Sequence, residues 1–193
     1  MSIKILFLAG SAREGSLNKS LARAACDMAS EHENVSAEFI DLKDYPMPIY
    51  DGDLEKEKGL PDNAITLKKK FITCDGFFIA SPEYNSGYSS LLKNTIDWMS
   101  RSHEQDEKPL IAYKDKVAAI AAVSSGMLGG LRGLVPLRML LGNIGVHVTP
   151  SQAAIGNGMN AFDDKGKLSD DKQKVMLQNV VDELIKTTKA LQS

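Results

Sequence analysis

The sequence has few cysteines, few aromatic residues and no excess of charge of either sign. Its 193 residues include two cysteines and 6% aromatic residues, and the formal net charge is -2. Cys26 and Cys74 lack CxxC spacing, which gives little support to a disulfide framework or a zinc site, so we expect both to be small core residues. Acidic and basic residues are mixed along the chain, which argues against nucleic acid as the main partner.

Long hydrophobic runs are also missing. No apolar stretch approaches the roughly 20 residues that span a bilayer, and the first apolar residues are too few for a secretory signal peptide. We therefore expect a cytoplasmic protein with no membrane partner. Since the hydrophobic share of 43% and the charged share of 25% are ordinary for globular proteins, we expect residues 1–193 to form a single domain.

The apolar residues predict short strands that alternate with amphipathic helices. The predicted strands are residues 3–9, 35–41, 76–81, 116–123 and 145–149. The predicted helices are residues 17–29, 60–73, 88–101, 130–144 and 169–191, with Ser169 as the N-cap of the last and with Val175 and Met176 among its inward-facing residues. Residues 41–61 form a long polar connection rich in proline and glycine, which we expect to be a loop.

This alternation predicts an α/β fold with a parallel five-stranded sheet, because parallel neighbours need crossover connections. The expected strand order is 2-1-3-4-5 with helices on both faces, the flavodoxin-like three-layer sandwich. In such sheets a ligand binds beyond the carboxyl ends of the strands, where the order reverses between strands one and three. The loops after Ala9 and Ala80 should then face each other.

Three loops at these strand ends have residues suited to binding. The first, residues 10–18, reads Gly-Ser-Ala-Arg-Glu-Gly-Ser-Leu-Asn and leads into a helix. A helix N-terminus with small polar side chains and an arginine suits a phosphate group, although an ordinary N-capped helix is an equal reading of the spacing. The common GxGxxG and GxxxxGK[ST] nucleotide motifs are absent.

The other two loops follow strands three and four. Residues 81–87, Ser-Pro-Glu-Tyr-Asn-Ser-Gly, place an aromatic ring and backbone amides where a planar ligand could lie, but a tight turn with a half-buried tyrosine is the alternative. Residues 124–130, Ser-Ser-Gly-Met-Leu-Gly-Gly, are again small residues before a helix. Three such loops in register favour a ligand site over three ordinary connections.

Together these segments resemble the NADPH-dependent FMN reductases, a family with bacterial quinone, chromate, azo and ferric reductases. The resemblance runs from residue 3 to residue 156. It is carried by residues 10–18, by 81–85, Ser-Pro-Glu-Tyr-Asn, and by 92–98, Leu-Lys-Asn-Thr-Ile-Asp-Trp. One departure is that Ser89 and Ser90 stand where the family usually has Pro-Gly.

The resemblance implies FMN as cofactor and NADPH or NADH as co-substrate. It places the FMN phosphate at Ser11, Arg13, Ser16, Leu17 and Asn18, the isoalloxazine ring beside Pro82, Glu83, Tyr84 and Asn85, and the other edge of the ring under Ser124, Ser125 and Gly126. It also implies a homodimer or homotetramer with flavin sites near subunit boundaries. Residues 45–60, with Tyr50 and Asp51, are our candidate for reaching a neighbouring subunit.

The implied activity is an FMN-dependent NAD(P)H oxidoreductase that passes hydride to flavin N5 and then to a quinone-like or other small acceptor. We predict no catalytic side chain, because the cofactor carries this chemistry. A flavodoxin-type electron carrier without its own NAD(P)H oxidation is the alternative, although such carriers are usually more acidic than a net charge of -2. A cofactor-free interaction domain is a third possibility.

The remaining chemically notable residues have simpler explanations. His32, His103 and His147 are scattered without metal-ligand spacing, and we predict no metal site. Trp98 shares a helix face with apolar residues and is expected to pack in the core. Ser11 and Ser125 do not lie in the G-x-S-x-G motif of hydrolase nucleophiles.

Overall fold

A parallel five-stranded sheet lies at the centre of the molecule in the computed structural model, which describes residues 2–192. The strands are β1 Ile3–Ala9, β2 Val35–Ile40, β3 Gly76–Ala80, β4 Val117–Val123 and β5 His147–Ile155. Their spatial order is β2-β1-β3-β4-β5, and every neighbouring pair is parallel. The predicted flavodoxin-like fold and strand order are confirmed.

Helices cover both faces of this sheet. The α-helices in residues 2–192 are α1 Leu17–Ser30, α2 Gly52–Lys58, α3 Asp62–Ile72, α4 Ser90–Ser100, α5 Leu131–Asn143 and α6 Asp171–Leu191. Buried side chains of α1 and α6 form one core with the sheet, and those of α3, α4 and α5 form a second core on the opposite face. These two cores give the three layers of the sandwich.

The central strands of the sheet are more completely buried than the edge strands. Every residue of β3 and β4 is buried, whereas β2 and β5 contain several partly exposed residues. A strand covered by helices on both faces needs apolar residues at consecutive positions, which explains the continuous apolar runs of these strands. The central strands therefore form a fixed platform for the loops that follow them.

The segment expected to be a loop, residues 41–61, contains a short 3-10 helix, Leu42–Asp44, and the helix α2. Asp51 caps α2 through hydrogen bonds from the backbone N–H groups of residues 53 and 54, and Gly59 ends the helix at φ 72°. The prediction missed α2 because none of its residues is buried. A helix without a buried face has no apolar stripe for a sequence pattern to reveal.

The last strand, β5, is longer than the predicted residues 145–149. The prediction stopped before Pro150, but β5 lies at the edge of the sheet, where a residue without an N–H group is tolerated. Its pairing with β4 shifts register between Ala118 and Ile120. Beside this irregularity, Arg138 of α5 donates to the carbonyl oxygen of Thr149 at 2.8 Å and to that of Pro150 at 3.3 Å.

The N-cap of the final helix lies one residue later than predicted. Asp170, not Ser169, is the N-cap of α6, and its carboxylate accepts a hydrogen bond from the backbone N–H of Gln173 at 2.9 Å. Val175 and Met176, expected to face inward, are 59% and 40% exposed. The buried face instead repeats at intervals of three and four from Leu177 to Thr188, and neither exposed residue falls on it.

Both cysteines are free and buried, as the sequence predicts. Burial is the main cause that raises the pKa of the Cys26 thiol to about 11 and that of the Cys74 thiol to about 12. Each therefore acts as a small core residue. Within residues 2–192, no helix has both the length and the apolar character needed to cross a membrane.

Candidate functional site

The segments that follow β1, β3 and β4 begin side by side at the carboxyl edge of the sheet. Ala9 pairs in register with Ala80, and Ala80 with Ala121. Beyond the strands, the Gly10 N–H donates to the Ala80 carbonyl at 2.9 Å. The Ser81 N–H donates to the Ala121 carbonyl at 2.8 Å. The adjoining segments are loop 1 (residues 10–16), loop 2 (residues 81–89) and loop 3 (residues 124–130).

Loop 1 leads into the amino-terminal end of α1, which has no side-chain cap. Ser16 occupies the N-cap position with extended backbone, but its side chain makes no capping hydrogen bond. The first turn of α1 also contains no acidic residue. Since the first N–H groups of a helix have no partner within it and carry partial positive charge, this end can accept an external anion.

Arg13 gives loop 1 an exposed cation that forms no ion pair within residues 2–192. Two neighbouring cations are already paired. Lys19 lies 2.7 Å from the Asp41 carboxylate, and Lys43 lies 2.5 Å from that of Glu14. Arg13 is the cation of loop 1 itself, and its charge is therefore left for a ligand.

Asn18, in the first turn of α1, connects loop 1 to loop 3. Its Nδ2 donates to the Val123 carbonyl at 3.0 Å, and its Oδ1 accepts from the Val123 N–H at 3.1 Å. This buried pair of bonds fixes the start of α1 against the end of β4. The side chain thus has a structural function besides the predicted contact with phosphate, which stays a prediction.

Loop 2 contains a tight turn that holds Tyr84 at the surface. The Tyr84 N–H donates to the Gly87 carbonyl at 2.9 Å, and the Gly87 N–H donates back at 3.1 Å. Between them Asn85 and Ser86 both have positive φ, 52° and 64°, as in the type I′ turns of hairpins. Tyr84 is 57% exposed, so its side chain is available to border a planar ligand.

Glu83, also in loop 2, is directed toward the start of α5. Its carboxylate accepts a hydrogen bond from the Gly133 N–H at 3.2 Å. A side chain at position 133 would approach the Glu83 Cβ to 3.3 Å, so glycine allows this close packing. Pro82 beside it is buried. Loop 2 is therefore braced against α5 while Tyr84 remains exposed.

The base of loop 3 is hydrogen-bonded to the end of β5 and to the segment that follows it. The Ser124 N–H donates to the Ile155 carbonyl at 3.1 Å, and the Ser124 carbonyl accepts from the Gly158 N–H at 2.9 Å. Ser125 and Gly126 are exposed at the tip. Loop 3 thus has an ordered base and backbone groups open to a ligand.

Ser89 at the end of loop 2 was not among the predicted site residues. Its hydroxyl donates to the Gly10 carbonyl at 2.6 Å and accepts from the Leu92 N–H at 3.1 Å, which caps α4. A serine before an apolar helical segment is a recognisable N-cap signal. The contact with Gly10 has no signal in the sequence, because it depends on how two distant loops meet.

The segment of residues 92–98 forms hydrogen bonds with the long connection after β2. Asn94 Nδ2 and Trp98 Nε1 both donate to the Pro48 carbonyl at 2.8 Å. Asn94 Oδ1 accepts from the Tyr50 N–H at 2.7 Å. Trp98 is fully buried, which confirms its predicted packing role.

Tyr50 and Asp51, expected to reach a neighbouring subunit, have side-chain contacts within their own chain. The Tyr50 hydroxyl donates to Glu55, and that hydrogen bond raises the pKa of Tyr50. A hydrogen bond from Arg101 lowers the pKa of Glu55. Asp51 caps α2. In this segment Ile49 is the strongly exposed apolar residue, at 86%.

The donors at this edge fit the chemistry of FMN. The open end of α1 and the unpaired cation of Arg13 suit a phosphate group. The uncovered Tyr84 ring and the backbone of residues 125–126 suit the faces and edges of a flat heterocycle. The individual contacts to the cofactor stay predictions.

A family model described as NADPH-dependent FMN reductase matches residues 3–160. The chain belongs to the NADPH-dependent FMN reductase family. An NAD(P)H-dependent FMN reductase of Pseudomonas aeruginosa is 33% identical over 177 residues, which cover 91% of this chain and 90% of the relative. An NADPH:quinone oxidoreductase of Arabidopsis thaliana is 32% identical over 183 residues, covering 93% and 88%.

A solved structure of this kind has the same fold. The flavoenzyme NAD(P)H:(acceptor) oxidoreductase FerB of Paracoccus denitrificans aligns with a TM-score of 0.82 at 27% identity. The alignment covers 97% of this FMN reductase family member and 98% of the FerB chain. The predicted family is therefore confirmed.

Proposed function

We propose that this protein is an NAD(P)H-dependent oxidoreductase that uses FMN to reduce quinone-like or other small acceptors. Family membership supports the flavin and the nicotinamide, and relatives named quinone reductases support the acceptor class. The observation that carries the proposal is the uncapped end of α1 beside unpaired Arg13, at the sheet edge where such ligands bind.

When bound, FMN supplies the hydride-carrying chemistry between nicotinamide and acceptor. The chain's own residues bind the cofactor and orient it. Loop 1 and the first N–H groups of α1 hold the phosphate through charge-assisted hydrogen bonds. The hydrogen bonds of Asn18 to Val123 and of Ser89 to Gly10 keep the three loops at fixed separations. Preorganised donors of this type lose little free energy to reorganisation.

The test is to load purified protein with FMN, add NADPH or NADH without air, and follow the flavin absorption. Bleaching by the nicotinamide and its reversal by a quinone are the expected results. A protein that binds FMN but is not bleached by either nicotinamide would contradict the reductase proposal and indicate the electron carrier. Absence of FMN binding would contradict both the reductase and the electron-carrier hypotheses. A panel of quinone, azo dye, chromate and ferric chelate then ranks the acceptors.

The electron-carrier alternative is not favoured, because the matching relatives are named as reductases that use NAD(P)H.

The cytoplasmic location expected from the sequence stays a prediction.

We also propose that two copies of this single-domain chain associate through the outer face of α5. Leu131, Val135 and Met139 recur at intervals of four on this helix and are 40%, 66% and 63% exposed. Met127 and Leu128 of loop 3 extend the apolar surface, at 88% and 50% exposed. An apolar stripe of this kind on the outside of a helix is typical of an interaction surface.

Sedimentation analysis of the Val135→Glu variant tests this association. A charge in the middle of the stripe should convert the assembly to monomers. Val175→Glu is the matched control, since Val175 is 59% exposed on α6, outside the stripe. A wild-type protein that sediments as a monomer, or a Val135→Glu variant with unchanged mass, would contradict the proposal.

A further inference from the structure

The Ser89 hydroxyl forms two hydrogen bonds at a buried position between loop 1 and loop 2. Ser89 is 2% exposed. Its Oγ donates to the Gly10 carbonyl at 2.6 Å and accepts from the Leu92 N–H at 3.1 Å. One hydroxyl thus both caps α4 and fixes the first residue of loop 1. A hydroxyl can do this because it has one donor and two acceptor lone pairs.

Gly10 is fixed through both its N–H group and its carbonyl group. Its N–H donates to the Ala80 carbonyl at 2.9 Å, at the end of β3. Its carbonyl accepts from Ser89, at the start of α4. A Cβ at position 10 would lie 2.9 Å from the Ser89 Oγ, so the close approach requires glycine. The beginning of loop 1 is therefore positioned by the two elements that flank loop 2.

We propose that Ser89 is a positioning residue that sets loop 1 for binding the FMN phosphate. This inference rests on the proposed function, because it assumes that loop 1 holds that phosphate. The Ser89 side chain need not touch the ligand. It acts by keeping Gly10 in place, so that Ser11 and Arg13 leave the sheet in the direction of the α1 end. Buried hydrogen bonds of this kind stabilise one arrangement of a loop over others.

Because the hydroxyl acts on the phosphate end, its removal should affect FMN and riboflavin differently. Riboflavin has the same ring system without the phosphate. The Ser89→Ala variant should bind FMN roughly fivefold to thirtyfold more weakly, the change expected from losing one buried hydrogen bond. Its affinity for riboflavin should change little. The preference for FMN over riboflavin, measured by quenching of flavin fluorescence, should therefore fall.

Three further variants separate positioning from a general loss of stability. Asp170→Ala removes the comparable cap of α6, away from the loops, and should leave the FMN preference unchanged. Ser90→Ala changes the exposed neighbour, whose side chain makes no hydrogen bond within residues 2–192, and should also leave it unchanged. Ser89→Thr keeps the hydroxyl and should restore most of the preference.

The outcomes are distinct. Equal weakening of FMN and riboflavin in Ser89→Ala, or no weakening of either, would overturn the positioning role while leaving the proposed function in place. Failure of the wild-type protein to bind FMN would instead overturn the proposed function. A fall in the FMN preference that is restored in Ser89→Thr and absent in Asp170→Ala would support Ser89 as the positioning residue.

Discussion

The helices that follow the central strands begin differently from those that follow the edge strands. After the edge strands β2 and β5, each α-helix has aspartate at its start: Asp51 caps α2, Asp62 lies in the first turn of α3, and Asp170 caps α6. After the central strands β1, β3 and β4, the helices α1, α4 and α5 have no acidic residue in the first turn.

This difference reflects two uses of a helix N-terminus, one for the stability of the helix and one for binding a ligand. A carboxylate at a helix N-terminus stabilises the helix, but it also occupies the position that an anionic ligand would take. α4 uses the neutral Ser89 hydroxyl instead, and α5 receives Glu83 from loop 2. Among the α-helices of residues 2–192, α1 and α5 lack both a capping side chain at the N-cap and an acidic residue in the first turn. Since Glu83 accepts from an N–H of α5, only α1 of these helices begins without any side-chain acceptor. The comparison therefore selects α1 as the phosphate-binding end.

The strongest way to break this comparison is to give α1 the aspartate that the edge helices have. We expect Ser16→Asp to weaken FMN binding by about a hundredfold or more, because a second negative charge would lie within several Å of the phosphate. Riboflavin binding should fall much less. Titration with both flavins measures the effect. Ser16→Asn is the neutral control, and equal losses in the two variants would contradict the electrostatic reason.

Removing the unpaired cation should have the next largest effect. We expect Arg13→Ala to weaken FMN binding by roughly tenfold to a hundredfold, the value of a charge-assisted hydrogen bond to phosphate. The fold should remain intact, because Arg13 is exposed and forms no ion pair within the described residues. Equilibrium dialysis measures the affinity. Lys172→Ala, which removes an exposed cation at the start of α6, should leave it unchanged.

At an edge helix the expected effect moves from binding to stability. Asp170→Ala should lower the free energy of unfolding by about 1 kcal/mol, since it deletes an N-cap hydrogen bond. FMN affinity should not change. Denaturant unfolding of the apoprotein and flavin titration together provide the measurement. A large loss of FMN affinity in this variant would mean that the two classes of helix are not functionally separate.

The smallest expected effect concerns a charge on the edge strand β2. Hydrogen bonds from Lys70 and Lys4 lower the pKa of Glu38 below its ordinary value of 4.5. A carboxyl group whose pKa is lowered on folding stabilises the protein above its unfolded pKa, and that contribution disappears as the pH falls through the folded pKa. Because Glu38 is one-third exposed, the contribution should be about 0.2–1 kcal/mol.

Unfolding of the Glu38→Gln variant as a function of pH provides the measurement. The difference from wild type should be present at neutral pH and should shrink below pH 4.5. Glu57→Gln, at an exposed position on α2 without an ion pair in the described chain, should show no such difference. A difference that persists unchanged in acid would show that lost charge is not the cause.

The strands and the long helices could be predicted from the sequence because their burial produces either a continuous apolar run or a periodic apolar pattern. β3 and β4 are continuous apolar runs, and α6 repeats its buried residues at intervals of three and four. α2 could not be predicted, since it buries nothing. The full length of β5 could not be predicted either, because Pro150 marks a strand end unless the strand is known to lie at an edge.

For the candidate site, sequence could identify the loops but not their mutual contacts. The segments 10–18 and 81–85 are contiguous motifs, so their residues are readable one by one. The second function of Asn18, its bonds to Val123, spans 105 positions along the chain. The contact between Ser89 and Gly10 spans 79. Such pairs arise from the sheet order and the paths of the loops, which no local pattern encodes.

The Arg138 side chain beside β5 has a consequence for how the molecule avoids aggregation. An edge strand offers free carbonyl and N–H groups on which a strand of another molecule can add. Here the guanidinium donates hydrogen bonds to the carbonyl groups of Thr149 and Pro150, and Pro150 has no N–H group. This stretch of the outermost strand is therefore a poor template for intermolecular β-pairing.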